Sequence, residues 1–145
     1  MSTARPPIPF PRTVRIMHGA LVGGLMLAGV AFFVLLRVQG RPLGGAPKVG
    51  ITLAILAVGL LIVAVAVLRR RIPERRLDQT PDAFWASAET RGVSILLWAV
   101  VDAAGLMGWM GYVFTGGTAP AVAAVLSIVT LLTFRPSRLE ANGAG

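Results

Sequence analysis

One carboxylate among the six acidic residues of this 145-residue chain stands apart from the others. Asp102 lies in Trp98-Ala99-Val100-Val101-Asp102-Ala103-Ala104-Gly105, near the middle of a long apolar run. The other five acids fall in polar segments or the tail. An ionised Asp at a bilayer centre costs about 2.5–3.5 kcal/mol on insertion scales, so an acid kept there answers to a function or to a bond. As a protonatable group it serves a proton or cation path, or holds a cationic ligand. As a hydrogen-bonding group it ties down a neighbouring helix, a bond of about 0.6–2 kcal/mol.

The neighbours of Asp102 sharpen both readings. Arg91, Trp98, Gly105 and Tyr112 are spaced by sevens, and Ile95, Asp102 and Trp109 interleave with them, so on a helix they form one stripe. The stripe carries two of the three tryptophans and the only tyrosine. A buried indole N–H or phenol O–H needs a partner, and a carboxylate four residues from Trp98 is placed to supply one. The stripe reads as an aromatic cage for a cation, or as a packed helix face with Trp109 and Tyr112 anchored at the interface. His18, the lone histidine, falls about one turn into the first apolar run and reads as an interfacial hydrogen-bonding group or a switch. With no cysteine and one histidine, thiolate chemistry, disulfides and a bis-histidine haem are excluded. No Walker loop, G-x-S-x-G or H-E-x-x-H is found, so no metal, no cofactor and no enzymatic activity are expected.

What must position these residues is a membrane fold. With its 17 glycines the apolar share is roughly 66%, against about 45–50% in a soluble domain, and charged residues are only 14%. Four apolar runs, 16–36, 49–68, 93–114 and 118–134, are each long enough for a span at about 1.5 Å per residue. Helices satisfy their own backbone in lipid, so the expectation is an all-α integral membrane bundle of four transmembrane helices in two hairpins. Prolines mark the ends. A flexible N-terminal segment is expected over 1–12, the transmembrane domain over 13–136, and a flexible tail over 137–145. Thr80-Pro81-Asp82 reads as a helix start, with Thr80 as N-cap. From there one long helix to about 114 is expected, its first three turns extending into the cytoplasm along the headgroups.

Charge sets the threading. Of the 14 basic residues, eleven precede the first run, lie between the second and third, or follow the fourth; only Arg37, Arg41 and Lys48 lie between the first and second. The positive-inside rule then puts both termini in the cytoplasm, with the first run as an uncleaved signal-anchor in a prokaryotic cytoplasmic (inner) membrane. Arginines between apolar runs argue for topology and not for nucleic acid. Arg69, Arg70, Arg71, Arg75 and Arg76 cluster where anionic lipid headgroups would meet them. Gly19-x3-Gly23 and Ala104-x3-Gly108 are small-x3-small motifs that let helices approach closely, within the chain or between copies.

Asp102 in the third run and the ending Arg135-Pro136-Ser137 resemble small bacterial four-span membrane proteins with a mid-span acid in the third helix. The resemblance implies the four-span layout and no particular activity. A hairpin with one buried carboxylate is also similar to the rotor proteolipids of rotary ATPases, but here the acid is on the first helix of its hairpin and not the second. Small multidrug transporters resemble the chain in span number, with their acid in the first span. The sequence therefore points to a non-enzymatic multi-pass protein, a structural or accessory subunit packing with itself or a larger membrane complex. The alternative is a small transporter or proton/cation-conducting subunit using Asp102.

Overall fold

The computed structural model describes residues 10–141, and among them every regular element is a helix. The helices are α1 (Phe10–Gln39), α2 (Pro47–Arg71), α3 (Pro81–Ala86), α4 (Ala88–Thr115), α5 (Thr118–Thr133) and α6 (Pro136–Ala141). By length and composition α1, α2 and α4 can each cross a membrane, with 30, 25 and 28 residues; α5 is a shorter apolar helix. This is a membrane protein with at least three such helices. A π turn, Ala64–Leu68, lies inside α2, and the Arg69 N–H closes it on the Ala64 carbonyl.

Helix ends follow local chemistry. Gly40 (φ 67°) takes the chain out of α1, and Gly116 (φ 65°) ends α4 in the left-handed conformation, its N–H bonded to the Tyr112 carbonyl. Pro47 starts α2 at a position that needs no amide donor. The α1–α2 connection then caps α4: the Leu43 and Gly45 amides donate to the Val113 and Phe114 carbonyls at 3.2 and 2.9 Å.

Helix α4 sits at the centre, packed by α5, α2 and α1. Leu97, Val101 and Ala104 of α4 are fully enclosed, as are Ala57 and Ala64 of α2 and Ala124 and Leu131 of α5. The α4–α5 contact is a seam of small residues. A methyl group on Gly108 would sit 2.7 Å from the Ala124 nitrogen and 2.8 Å from the Pro120 oxygen; one on Gly111 would sit 2.8 Å from the Pro120 Cβ. The backbones come close there at Gly108 and Gly111, and Ala104, one turn earlier in the Ala104-x3-Gly108 motif, is fully buried. The other motif is used differently: methyl groups on Gly19 and Gly23 would meet nothing. Those glycines lie on the exposed outer face of α1, and the motif seats no helix among the described residues.

Three sequence expectations are corrected. The single helix from 81 is broken at Ser87, which adopts an extended backbone (ψ 124°) and caps α4 through its hydroxyl. The break turns α3 inward, and Phe84 and Trp85, expected along the headgroups, are buried. Residues 10–12, assigned to a flexible segment, form the first turn of α1, because proline is tolerated where the amide has no intrahelical acceptor. Residues 137–141, assigned to a flexible tail, form most of α6, which starts at Pro136 and buries Leu139 and Glu140. Residues 1–9 and 142–145 lie outside the described residues.

The seam yields a contrast between two glycines. Gly108→Leu overpacks against backbone that cannot yield and should lower unfolding free energy by at least about 1–3 kcal/mol. Gly23→Leu, on an open face, should stay within about ±0.5 kcal/mol for the isolated chain. Reversible unfolding in mixed micelles, followed by circular dichroism, measures both. Equal losses would mean that the seam is not what holds α5.

Candidate functional site

The terminus of α5 creates a demand. The last four carbonyls of a helix lack intrahelical donors, and Pro136 has no N–H to offer the carbonyls that precede it. Two side chains from other helices answer. The Trp98 Nε1–H of α4 donates to the Phe134 carbonyl at 2.9 Å. His18 of α1 lies with Nε2 2.9 Å from the Leu131 oxygen; a carbonyl only accepts, so this fixes the tautomer with the proton on Nε2. The two rings meet edge to face at 5.1 Å. Sequence reading placed His18 and Trp98 on separate helices, and the structure brings them together.

A carboxylate from the C-terminal segment lies next to them. Glu140 of α6 is only 8% exposed. Its Oε1 accepts from the Trp85 Nε1–H at 2.8 Å, and the Arg15 Nη2 donates to Oε1 and Oε2 at 3.3 and 3.1 Å. Trp85 packs edge to face on Phe84 at 5.0 Å and against Trp98 at 6.2 Å. The cluster thus joins α1, α3, α4, α5 and α6 through one carboxylate, two indoles, one imidazole and one guanidinium. Arg15 and Glu140 are 125 positions apart, so no local spacing announces the pair. The one legible signal was Pro136 followed by Leu139-Glu140, a helix start with an apolar anchor.

Magnitudes rank these bonds. The Arg15 side chain is 57% exposed, so its pair with Glu140 is worth about 0–1 kcal/mol. The buried indole–carboxylate bond has a charged acceptor and contributes about 1.5–3 kcal/mol. Every polar atom named here is engaged in holding helices together. Among the described residues no group of three His, Cys, Asp or Glu is placed to hold a metal.

The rest of the aromatic stripe stays apart. The Trp98 N–H, expected to serve Asp102, is held by Phe134. Trp109 lies over Gly29 of α1 and meets Tyr112 edge to face at 6.1 Å. Its Nε1 is buried with no acceptor. Asp102 is partly exposed on the same side of α4, and among the described residues it makes no hydrogen bond or ion pair. Helices α1 and α4 run parallel in a fixed register: His18 meets Trp98, Leu25 meets Gly105 and Gly29 meets Trp109, the partner always eighty positions on. That register sets Asp102 level with Val22. From Gly19 to Leu36, α1 carries only apolar residues and glycine, so it has no side chain to offer the carboxyl. Of the arginine cluster, Arg70, Arg71 and Arg76 are exposed, while Arg69 and Arg75 are half-buried.

No protein-family model, curated protein or solved structure matches the chain. The cluster itself makes a measurable claim about the tail. Glu140→Ala removes the acceptor of Trp85 and should speed tryptic cleavage after Arg138 by roughly tenfold or more, the equivalent of about 1.5–3 kcal/mol. Glu140→Gln keeps an acceptor for the indole and should change the rate far less. Identical cleavage of all three proteins would show that α6 is not held by this carboxylate.

Proposed function

We propose that this chain is a non-enzymatic four-helix subunit of the cytoplasmic membrane that packs with itself or with a larger membrane complex through the α1/α4 side carrying Asp102. One observation carries the reading: a carboxyl near the middle of a 28-residue apolar helix is partly exposed and has no partner among the described residues of its own chain. Lipid offers no donor, and leaving such a group unmet is expensive. A donor on a neighbouring helix resolves it. The buried, acceptorless Trp109 Nε1 on the same side adds a second unmet group. The outer face of α1 supports the same conclusion, since Gly19 and Gly23 leave room for a close helix approach that nothing in this chain fills.

The four helices cross the membrane with both termini in the cytoplasm. The basic residues support this threading, and α5 is served at its cytoplasmic end by His18 and Trp98. The exposed arginines of the second loop then face anionic headgroups. Reporter fusions after Gly45 and Gly117 should read periplasmic, and fusions after Gln79 and Gly145 cytoplasmic. A periplasmic reading at Gln79 overturns the threading.

Asp102 is tested by two substitutions and two readouts. Solubilised in mild detergent, the protein should run as an oligomer or a complex with unlike chains. Asp102→Leu should shift it toward the monomer, while Asp102→Asn, which still bonds through its amide, should keep the assembly. An assembly indifferent to Asp102→Leu defeats the proposal. If Asp102→Asn keeps the assembly yet fails to complement a deletion strain as fully as Asp102→Leu fails, the carboxyl carries a proton and the transporter reading takes over, because neither residue ionises.

A further inference from the structure

Helices α2 and α5 lean together at their outer faces and leave a groove between them. It holds two apolar cavities, one of 590 Å³ beside Ile51 and Val122 and one of 350 Å³ beside Ala66 and Thr130, which share Val58 and Ile62 and so run into each other. The smaller one occupies the half of the groove nearer to Arg69–Arg71. Its walls are Val58, Ile62, Val65, Ala66, Leu126 and Thr130. The one polar atom among those side chains, the Thr130 hydroxyl, already donates to the Leu126 carbonyl at 2.7 Å. The walls therefore ask for hydrocarbon and offer nothing to a polar guest.

The ends of the two helices name the guest. Helix α2 finishes in Arg69-Arg70-Arg71, and Arg135 follows α5 directly; Arg70, Arg71 and Arg135 are exposed. From Arg70 back to Val58 is about 18 Å along the helix, close to the depth of one leaflet of a ~30 Å hydrocarbon core. Between Arg69 and Arg76 there are five arginines and one carboxylate, Glu74, so the field at this mouth is positive. The π turn Ala64–Leu68 lies level with this part of the groove.

We propose that the α2/α5 groove is a binding site for one anionic phospholipid of the inner leaflet, with an acyl chain along Val58–Ala66 and the headgroup phosphate on Arg70, Arg71 and Arg135. This rests on the cytoplasmic placement of these arginines and on the lipid contact proposed above for Arg70 and Arg71, to which it adds Arg135, and it turns a diffuse attraction into a site with a stoichiometry. It is independent of the reading of Asp102.

The test titrates the full-length protein in detergent with dioleoylphosphatidylglycerol or dioleoylphosphatidylcholine and counts retained lipids by native mass spectrometry. One phosphatidylglycerol should be held, roughly tenfold or more tighter than phosphatidylcholine. The triple change Arg70→Gln, Arg71→Gln, Arg135→Gln should erase that preference. Ala66→Phe, which fills the groove from an exposed position, should weaken phosphatidylglycerol binding about as much. Thr130→Phe repeats this from the other wall, and Leu96→Phe, on the outer face of α4, should have no effect. If the arginine variant loses the preference while both filling variants keep it, the groove site is wrong and only the diffuse contact survives. If the unaltered protein shows no preference for phosphatidylglycerol, both fail. If the filling variants halve the protein's mass and leave lipid retention alone, the groove belongs to a second copy and the proposal is overturned.

Discussion

The backbones of α4 and α5 touch, and the rest of the molecule is arranged by that contact. In lipid there is no hydrophobic gain in bringing two apolar helices together, so dispersion contacts and polar bonds must do it. Gly108 lets the Pro120 carbonyl and the Ala124 nitrogen come within reach of its Cα, and Gly111 accepts the Pro120 ring. The left-handed Gly116 turns the chain back at once, so the two helices are locked at the end where they join. A helix is stiff, and Leu131 lies about 17 Å further along α5 from Pro120. Fixing the seam therefore fixes where the last turn of α5 arrives, and it arrives beside Trp98.

At that far end a polar demand does what apolar packing cannot. The carbonyls of Leu131 and Phe134 need donors, and the available ones are the His18 imidazole and the Trp98 indole. These two bonds bring α1 into register with α4, since each is made by a ring that also packs on the other. Beyond them, Trp85 reaches Glu140 only because Ser87 breaks the helix and lets α3 fold inward. Three segments remote in sequence, around Arg15, Trp85 and Glu140, thus converge on one carboxylate. Removing water from the indole–carboxylate bond makes it the strongest of the set, while the exposed guanidinium contributes little.

Helix existence was legible where composition alone decides it. The runs at 16–36, 49–68 and 93–114 fall inside α1, α2 and α4, because 20 or so apolar residues in lipid have few options. Thr80 as N-cap of α3 and the proline and glycine stops were legible for the same local reason. The helix break at Ser87 was not: Ser-Ala-Glu-Thr reads equally as helix interior and as a cap, and what decides is the burial of Trp85, a tertiary gain invisible along the chain. The aromatic stripe was legible as a face but not in its bonds. Trp98 lies four residues from Asp102, yet the nearest acceptor in space is a carbonyl 36 positions away. Glu140 escaped notice because a charged residue in a polar tail is ordinarily solvated, and nothing local says that an indole covers it.

Most polar groups are matched on α5 and around the terminal cluster, whereas the Ser94 hydroxyl inside α4 and the Trp109 indole beside α1 are not. On α5 the Ser127, Thr130 and Thr133 hydroxyls all return to carbonyls of the preceding turn, so the second half of that helix presents no open hydroxyl. Around the terminal cluster the indoles of Trp85 and Trp98, the imidazole of His18 and the carboxylate of Glu140 are matched one to another or to a carbonyl. On the α1 side some groups stay unmatched. In 30 residues α1 buries only Val14, His18, Leu25 and Gly29, spaced so that a single narrow seam touches the bundle. Along that seam lie the unmet Trp109 N–H and the unpartnered Asp102, and behind it the open Gly19 and Gly23. A helix held this lightly, with small residues outward and a partly exposed carboxyl at its edge, is the ground on which the assembly proposed for this side rests.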